Sequence, residues 1–291
     1  MSETPPVNLP RIPPRDSNAV PNRIAGYLRG HLLAVVFLVL LGVALIALLS
    51  LSNKLALLIP ILIFGAFGAY PLAQEAVHRD FASTFAALNG YGYAEMSADT
   101  LEGTPSRIGH SHYIHYSIRG QFQNHTFWLF EYRYAIGKGK AKRDLTYTVL
   151  ELPVQAAMPD ILLKSRGEDF GVLIDLNPFD EDRHFETLFL EGDFSKRFAL
   201  TVLKEYELEA LQLFTPDVMH ELLAQAPGFS LEVVKNHLYL YRLGGLYTLL
   251  SREERVRGFF TLAAYCIERL VPKIEAMRVA TVGARRNVVE S

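Results

Sequence analysis

Two apolar runs near the start of the chain decide how it is built: LLAVVFLVLLGVALIALLSL, residues 32–51, and LALLIPILIFGAFGAYPLA, residues 55–73. Neither contains a charged side chain, and each has about the 20 residues that a helix needs to cross the ~30 Å hydrocarbon core of a bilayer. Only Ser52, Asn53 and Lys54 separate them. Because helices satisfy their own backbone hydrogen bonds, the runs predict a transmembrane hairpin that returns the chain to its starting side.

Basic residues near the membrane are more frequent on the cytoplasmic side. Arg79 follows the second run, the turn between the runs offers only Lys54, and the segment before the first run carries Arg11, Arg15, Arg23 and Arg29. Both termini are therefore predicted to be cytoplasmic. A cleaved signal peptide is the alternative, but the preceding segment is about twice the usual length and no small-residue cleavage site follows. Neither run holds an ionisable side chain, which disfavours a transporter or channel.

The composition divides the remaining chain into three parts. Residues 1–31 begin with a proline-rich stretch and are predicted to be a disordered tail, because they cannot bury enough apolar surface to order themselves. Residues 74–278 are long enough for one soluble domain, and residues 279–291 are predicted to be a flexible tail. The formal charge of −2 argues against nucleic-acid binding. The single cysteine, Cys266, excludes an internal disulfide.

The first half of the soluble region predicts a helix followed by strands. Residues 79–88 have apolar side chains at helical spacing, and Asn89-Gly90 is typical of a helix end. Alternating apolar residues then predict two strands, one containing Ile114, Tyr116 and Ile118, the other containing Trp128, Phe130, Tyr132 and Tyr134. A three-residue turn at Arg119-Gly120-Gln121 is expected between them.

Further strands are predicted at residues 145–152, 161–163, 172–176, 185–190 and 198–203, which together favour a mostly antiparallel sheet. Residues 208–214 are ambiguous. Thr215-Pro216 predicts a helix start, and Pro227-Gly228 predicts its end. Residues 229–234 and 237–243 flank Lys235-Asn236 and predict a two-stranded hairpin.

The last element has the clearest pattern. Ser251 and Glu254 match a capping box, and apolar residues then recur every three or four positions. They predict a long amphipathic helix on the sheet, bent near Pro272, with Cys266 in the buried stripe rather than acting as a nucleophile. The predicted fold class is α+β: a transmembrane hairpin, then a mostly antiparallel sheet against this helix.

Residues 194–198 (FSKRF), residues 206–219 (YELEALQLFTPDVM) and the segment 231–241 resemble an uncharacterised family of bacterial membrane-anchored proteins. The resemblance implies a transmembrane hairpin before a cytoplasmic α+β domain, in the bacterial cell membrane. It covers most of residues 30–275. The matching residues are aromatic, capping and core positions, so the resemblance implies no reaction.

Candidate sites are few. His110, His112 and His115 suggest a metal cluster, but on a regular strand His115 points away from the other two, so surface histidines are the preferred interpretation. The acidic run 180–182 with Asp175 lacks calcium-loop spacing and is interpreted as a solvated turn. No catalytic motif, metal site or cofactor fingerprint is recognised. The basic turn predicts contact with anionic lipid headgroups, with a solvated loop as the simpler alternative: Lys138, Lys140, Lys142 and Arg143.

The sequence therefore favours a membrane-tethered binding or scaffold module with the lipid bilayer and an unidentified protein as partners. Two alternatives stay open. One is a membrane-associated hydrolase whose catalytic groups meet only in three dimensions, which a deep pocket with titratable groups in contact would favour. The other is a lipid-binding cavity between the sheet and the last helix, which a sealed core would exclude.

Overall fold

The structure is a computed structural model that describes residues 9–14, 58–166, 185–190 and 192–277. For residues 58–72 and 156–159 it describes the backbone alone. The chain divides into two compact units: the first comprises Met1–Ile12 and Ala82–Ser291, and the second comprises Pro13–Phe81. The first apolar run, the predicted strand 172–176, the acidic run and the C-terminal tail lie outside the described residues.

Helix α1, Leu58–Leu88, contains most of the second apolar run and continues to the predicted stop. In the described part of the chain, no helix combines the length and apolar character needed to cross a membrane. Gly90 has a φ of 70°, and the Tyr91 N–H donates to the Ala86 carbonyl at 2.8 Å. A glycine with positive φ is the usual residue at such a helix end, and the end predicted at Asn89-Gly90 is confirmed.

In the part of the chain that the structure describes, seven strands form one antiparallel sheet, which confirms the α+β class and the predicted sheet. Its order is β1-β2-β3-β4-β6-β5, and β7 pairs with the other side of β4. The bounds are β1 Gly92–Ala94, β2 His110–Phe122, β3 His125–Ile136, β4 Arg143–Ser165, β5 Phe185–Leu188, β6 Phe198–Leu203 and β7 Ser230–Leu243.

The turn between β2 and β3 differs from the predicted one. It consists of Gln123 and Asn124, with φ values of 50° and 63°, and the strands pair up to Phe122 and His125. Two residues with positive φ form the turn whose twist matches a hairpin. The predicted turn at Arg119-Gly120-Gln121 is wrong, because these residues pair with Thr126, Phe127 and Trp128 inside the sheet.

The predicted hairpin around Lys235-Asn236 is also wrong. Residues on both sides of Lys235 belong to the single strand β7, and both pair with β4. Lys235 has a φ of 51°, and the register shifts on either side of its pairing with Met158. The segment is therefore an irregularity within two continuous strands and not a chain reversal. Between the pairs Pro153–His237 and Ile161–Val233, the 23-residue strand β4 contains more residues than β7, so the bulged strand is β4.

Short helices connect the later strands: α2 Phe194–Arg197, α3 Glu207–Leu213, α4 Pro216–Gln225 and α5 Leu246–Leu250. The last helix, α6, is Glu253–Tyr265, followed by a π turn at Cys266–Leu270 and helical residues 271–277. The helix was predicted correctly, but the capping box was not. Arg252 is the N-cap, and Ser251 ends α5 by donating its N–H to the Tyr247 carbonyl.

The π turn lies immediately before Pro272. A proline ring clashes with the carbonyl four residues earlier and leaves it without its helical donor. Widening the helix by one residue per turn relieves that clash locally, so the helix continues past the proline. Cys266 is fully buried in this turn, as the apolar stripe predicts.

The two faces of the sheet have different covers. The face that we call the tyrosine face carries Trp128, Phe130, Tyr132, Tyr134, Tyr147, Val149, Tyr239 and Tyr241, and it packs against Leu101 and Ile108. These two residues lie in the irregular segment 95–109, which we call the cover segment. On the opposite face, Phe260 of α6 contacts Phe122 and Phe127, with ring centroids 5.1 and 6.2 Å apart.

Candidate functional site

The cover segment is fixed to the tyrosine face by Glu232 of β7. The Glu232 carboxylate is 1% exposed and accepts hydrogen bonds from the Thr104 N–H at 2.8 Å, the Thr104 hydroxyl at 2.7 Å and the Tyr241 hydroxyl at 2.6 Å. Burial raises the pKa of Glu232 despite these donors. Three donors on one buried acceptor make this residue the main anchor of the segment.

Two further features hold the same segment. Arg107 donates from Nη1 to Oδ2 of the nearly buried Asp160 at 2.7 Å. Gly103 passes so close to the Tyr241 hydroxyl that a Cβ there would collide with it, and the same Cβ would lie 2.7 Å from Oε2 of Glu232. The absence of a side chain at Gly103 therefore allows the backbone to reach the buried carboxylate.

An open cleft of about 670 Å³ lies between the N-terminal part of the cover segment and the sheet. This volume falls within the range of small-molecule sites in proteins. Residues 98–102 of the cover segment contribute one wall, and β2, β3, β4 and β7 contribute the rest. The lining includes Asp99, Thr100, Glu102, Arg119, Thr126, Trp128, Glu151, Pro153, His237 and Tyr239.

Every carboxylate in the cleft lies beside a basic side chain. Arg119 donates from Nη2 to Oδ2 of Asp99. Glu102 Oε2 lies 2.9 Å from the Lys235 Nζ, and Glu151 Oε1 lies 3.0 Å from His237 Nδ1. The cleft therefore contains charges of both signs, each compensated within the protein.

The register of the sheet creates these contacts. Trp128 pairs with Glu151 across β3 and β4, and Glu151 pairs with Tyr239 across β4 and β7. Arg119 is the partner of Trp128 on β2, and its guanidinium carbon lies 4.4 Å from the centre of the indole ring. Partners in an antiparallel sheet present their side chains on the same face, so four strands contribute to one surface.

His237 is the only histidine in the cleft, and its pKa is raised, chiefly by the hydrogen bond with Glu151. The carboxylate orients the imidazole and favours its charged form. Among the described residues, the lining contains no serine or cysteine, and its hydroxyl groups belong to threonines and Tyr239. Chemically, the cleft can bind polar groups or polarise a water molecule.

The basic turn predicted to meet lipid is fully exposed. It connects β3 to β4 through a short 3₁₀ turn, Gly139–Ala141, and Lys142 Nζ lies 2.9 Å from Asp144 Oδ1. His110 contacts its start, with Nε2 2.9 Å from the Gly137 carbonyl oxygen. The turn therefore stands apart from the cleft, at the opposite end of β3 from Trp128, and exposes Lys138, Lys140, Lys142 and Arg143.

The three histidines of the predicted surface cluster have separate environments. His112 stacks on Tyr132 and Tyr134 and lies 2.9 Å from the Tyr132 hydroxyl, whereas His115 Nδ1 lies 3.6 Å from Glu131, whose side chain is on the other face. Within the residues that the structure describes, no group of three or more His, Cys, Asp or Glu side chains is placed to hold a metal ion.

No motif in the sequence marks the residues that form the cleft. A signal exists for one of them, since Glu151 is an isolated carboxylate inside an otherwise apolar strand, as are Glu131 and Glu232 outside the cleft lining. Such a carboxylate must find partners or lie at a site, because burying an unpaired charge is costly. Two of the three hold helical turns, since Glu131 Oε2 accepts the N–H of Leu246 at 2.7 Å and Glu232 accepts that of Thr104.

Comparisons with known proteins provide little help. No family model matches the sequence, and no curated protein matches it. One solved structure that resembles the chain is that of the mycobacterial trehalose monomycolate transport factor A, TtfA, with 14% sequence identity and a TM-score of 0.43, over 64% of this chain and 93% of that one. Similarity at this level carries no inference about this chain.

Proposed function

We propose that this protein is a membrane-tethered binding module whose cleft takes an uncharged, polar ligand. The observation that carries the proposal is the cleft of about 670 Å³ in which the charges are already paired. The cleft supports binding, and the apolar runs support the tether.

The proposed tether is supported by the two runs together with a contact between the ends that flank them. Arg11 precedes both runs and Asn89 follows both, yet the Arg11 N–H donates to Asn89 Oδ1 at 2.7 Å. Residues in contact must lie on the same side of a bilayer. An even number of crossings is therefore required between them, which supports a hairpin with both termini on one side, as in the bacterial membrane-anchored family that the chain resembles.

The chemistry of the ligand follows from the ion pairs. A charged ligand would have to compete with Arg119 for Asp99, or with His237 for Glu151. An uncharged ligand with hydroxyl or amide groups avoids that competition, because it can donate to the carboxylate oxygens and accept from the cations while each pair persists. The mixture of donors and acceptors on the walls favours a polyhydroxylated or amide-bearing molecule over an apolar one.

Trp128 makes the proposal directly testable, because it is the only tryptophan and lines the cleft. The full chain in detergent would be titrated with uncharged sugars, polyols and small amides, and separately with citrate and spermidine, while its fluorescence is recorded. We expect a saturable change with uncharged compounds that weakens about tenfold or more in Glu151→Gln, since a hydrogen bond to a charged group is lost.

The matched control is Arg257→Gln, because Arg257 is an exposed residue of α6 that pairs only with Glu253 among the described residues and is not part of the cleft lining. Saturable binding of spermidine or citrate alone would contradict the proposed ligand class. Binding that survives unchanged in both Glu151→Gln and Arg119→Gln would contradict the cleft as the site.

A second candidate function rests on the contact between His237 and Glu151. A carboxylate that orients an imidazole is the arrangement of a general base, and water would be the nucleophile because none of the described residues that line the cleft is a serine or a cysteine. Turnover of an ester or amide probe that disappears in His237→Gln while binding persists would establish a hydrolase. The same variant without effect on any turnover would remove this candidate.

The membrane also has a proposed contact on the domain. The four exposed cations of the β3–β4 turn would attract an anionic leaflet by about 1 kcal/mol each near the surface. A lipid cavity beneath α6 has less support, because the apolar side chains of this helix are buried and in ring contact with the sheet.

A further inference from the structure

The contact between the N-terminal segment and Asn89, used above only for the topology of the chain, also has a specific geometry. Pro10, next to the contacting residue, is buried. Besides accepting from the Arg11 N–H, Asn89 donates from Nδ2 to the Arg11 carbonyl at 2.8 Å. One side-chain amide thus satisfies both backbone groups of a single residue of the tail.

Asn89 thus recognises the extended backbone of the peptide and not a particular side chain. An asparagine amide that donates to and accepts from the same residue reproduces one rung of a strand pair, and it requires the peptide to be extended. Proline favours that conformation in advance, because its ring fixes φ near −65° and reduces the entropy lost on binding. The exposed Arg11 side chain is not needed for the contact.

Asn89 is itself held in place. Its Nδ2 also donates to the Phe85 carbonyl at 2.8 Å, at the end of α1, and Phe85 is fully buried against Tyr91 and Phe260. The end of α1 and the core of the domain therefore orient the Asn89 amide that binds the N-terminal segment. A rigid, oriented amide loses little freedom when a peptide binds.

We propose that Asn89 and the end of α1 form a docking site for an extended, proline-containing peptide, and that residues 9–12 of the same chain occupy it as a clasp. The clasp ties the N-terminal flank of the first apolar run to the domain that follows the second run. The site rests on the Asn89 contacts alone, and its role beside a membrane rests on the proposed function.

Trypsin provides the test, because the bond between Arg11 and Ile12 is a cleavage site inside the clasp. The full chain in detergent would be digested briefly, and release of residues 1–11 would be followed by mass spectrometry. Each rate is divided by that of a free peptide of residues 1–16 with the same substitution. We expect the intact chain to be cleaved at least about fivefold more slowly than its peptide, since two hydrogen bonds protect the bond.

Two variants test the clasp from opposite sides. Asn89→Ala removes both hydrogen bonds to Arg11, and Pro10→Gly loosens the tail without changing the domain. Both should bring the normalised rate towards that of the free peptide. The matched control is Asn236→Ala, because Asn236 is an exposed asparagine of β7; this variant should leave the protection unchanged.

Loss of protection in Pro10→Gly with an unchanged melting temperature would support the clasp even if Asn89→Ala destabilises the end of α1. Equal cleavage of the intact chain and the free peptide would overturn the proposal, as would full protection in both Asn89→Ala and Pro10→Gly. These outcomes are independent of the cleft, because ligand binding is measured by Trp128 fluorescence and clasp opening by cleavage at Arg11.

Discussion

Replacing Glu232 by alanine should detach the cover segment from the tyrosine face. The substitution leaves the Thr104 N–H, the Thr104 hydroxyl and the Tyr241 hydroxyl without their common acceptor in a buried place. A buried donor without a partner costs about 1–3 kcal/mol, and a hydroxyl group costs less because it can rotate. Removing a carboxylate that is unfavourably buried offsets part of the loss.

The net expectation is a loss of about 2–4 kcal/mol in the free energy of unfolding for Glu232→Ala. Glu232→Gln should cost about 1 kcal/mol, because its remaining carbonyl oxygen still accepts from Thr104. The pH dependence separates the two effects. The raised pKa of Glu232 means that its contribution is present below the ordinary carboxyl value and is lost as the pH rises through the raised value. Glu232→Gln should abolish that decline.

Urea unfolding of the full chain in detergent, followed by Trp128 fluorescence, measures these differences. Glu205→Ala is the matched control, because Glu205 is exposed and such substitutions stay within about 0.5 kcal/mol. Hydrogen exchange of residues 97–108 should accelerate in Glu232→Ala alone. If Glu232→Ala and Glu205→Ala unfold at the same urea concentration with the same exchange, the anchoring role of Glu232 is refuted.

Other predictions concern the remaining elements. Because the pKa of His237 is raised by Glu151, their ion pair should stabilise the fold below about pH 6.5 and weaken as the pH rises through the raised value; His237→Gln should flatten this part of the stability profile. Gln123→Gly should stabilise by about 0.5–1 kcal/mol because the φ there is positive, whereas Gln121→Gly inside β2 should destabilise by a similar amount, both measured by urea unfolding. The thiol of Cys266 should react with a maleimide only after denaturation, since it is buried and its pKa is raised. In a fragment of residues 74–278, which lacks the apolar runs, neutralising the basic turn should abolish flotation with anionic vesicles, and equal flotation with neutral and anionic vesicles would contradict the lipid contact; the changes are Lys138→Gln, Lys140→Gln, Lys142→Gln and Arg143→Gln.

The elements that the sequence predicted well are those whose pattern is local. The exact span of β6, the end of α1 and the long helix α6 follow from alternation, helical spacing and a glycine after the helix. The β2–β3 turn was misplaced because Gly120 resembles a turn residue. In the sheet, Gly120 instead leaves room for the ring of Tyr91, which a Cβ would strike, and this close approach is not visible in the sequence.

The irregularity at Lys235 shows why the site was harder to predict than the fold. Along a regular strand, Glu232 and Tyr241 are an odd number of residues apart and would point to opposite faces. The positive φ of Lys235 interrupts the alternation, so the carboxylate and the hydroxyl meet on the tyrosine face. The extra residues of this irregularity lie on β4, between Pro153 and Ile161, and the two strands pair on both sides of it.

The reversal of side-chain alternation at Lys235 positions both a residue of the cleft and the anchor of the cover segment. His237, on one side of the bulge, faces the open cleft beside Glu151, while Glu232, on the other side, is buried under Thr104. If Lys235 adopted the extended conformation of a regular strand, one of these two residues would turn to the α6 face, because side chains an odd number of residues apart then lie on opposite faces. One backbone irregularity in β7 therefore determines both where His237 faces the cleft and where Glu232 anchors the cover segment. This dependence explains why isolated carboxylates in apolar strands, more than any motif, are the sequence feature that indicates the site.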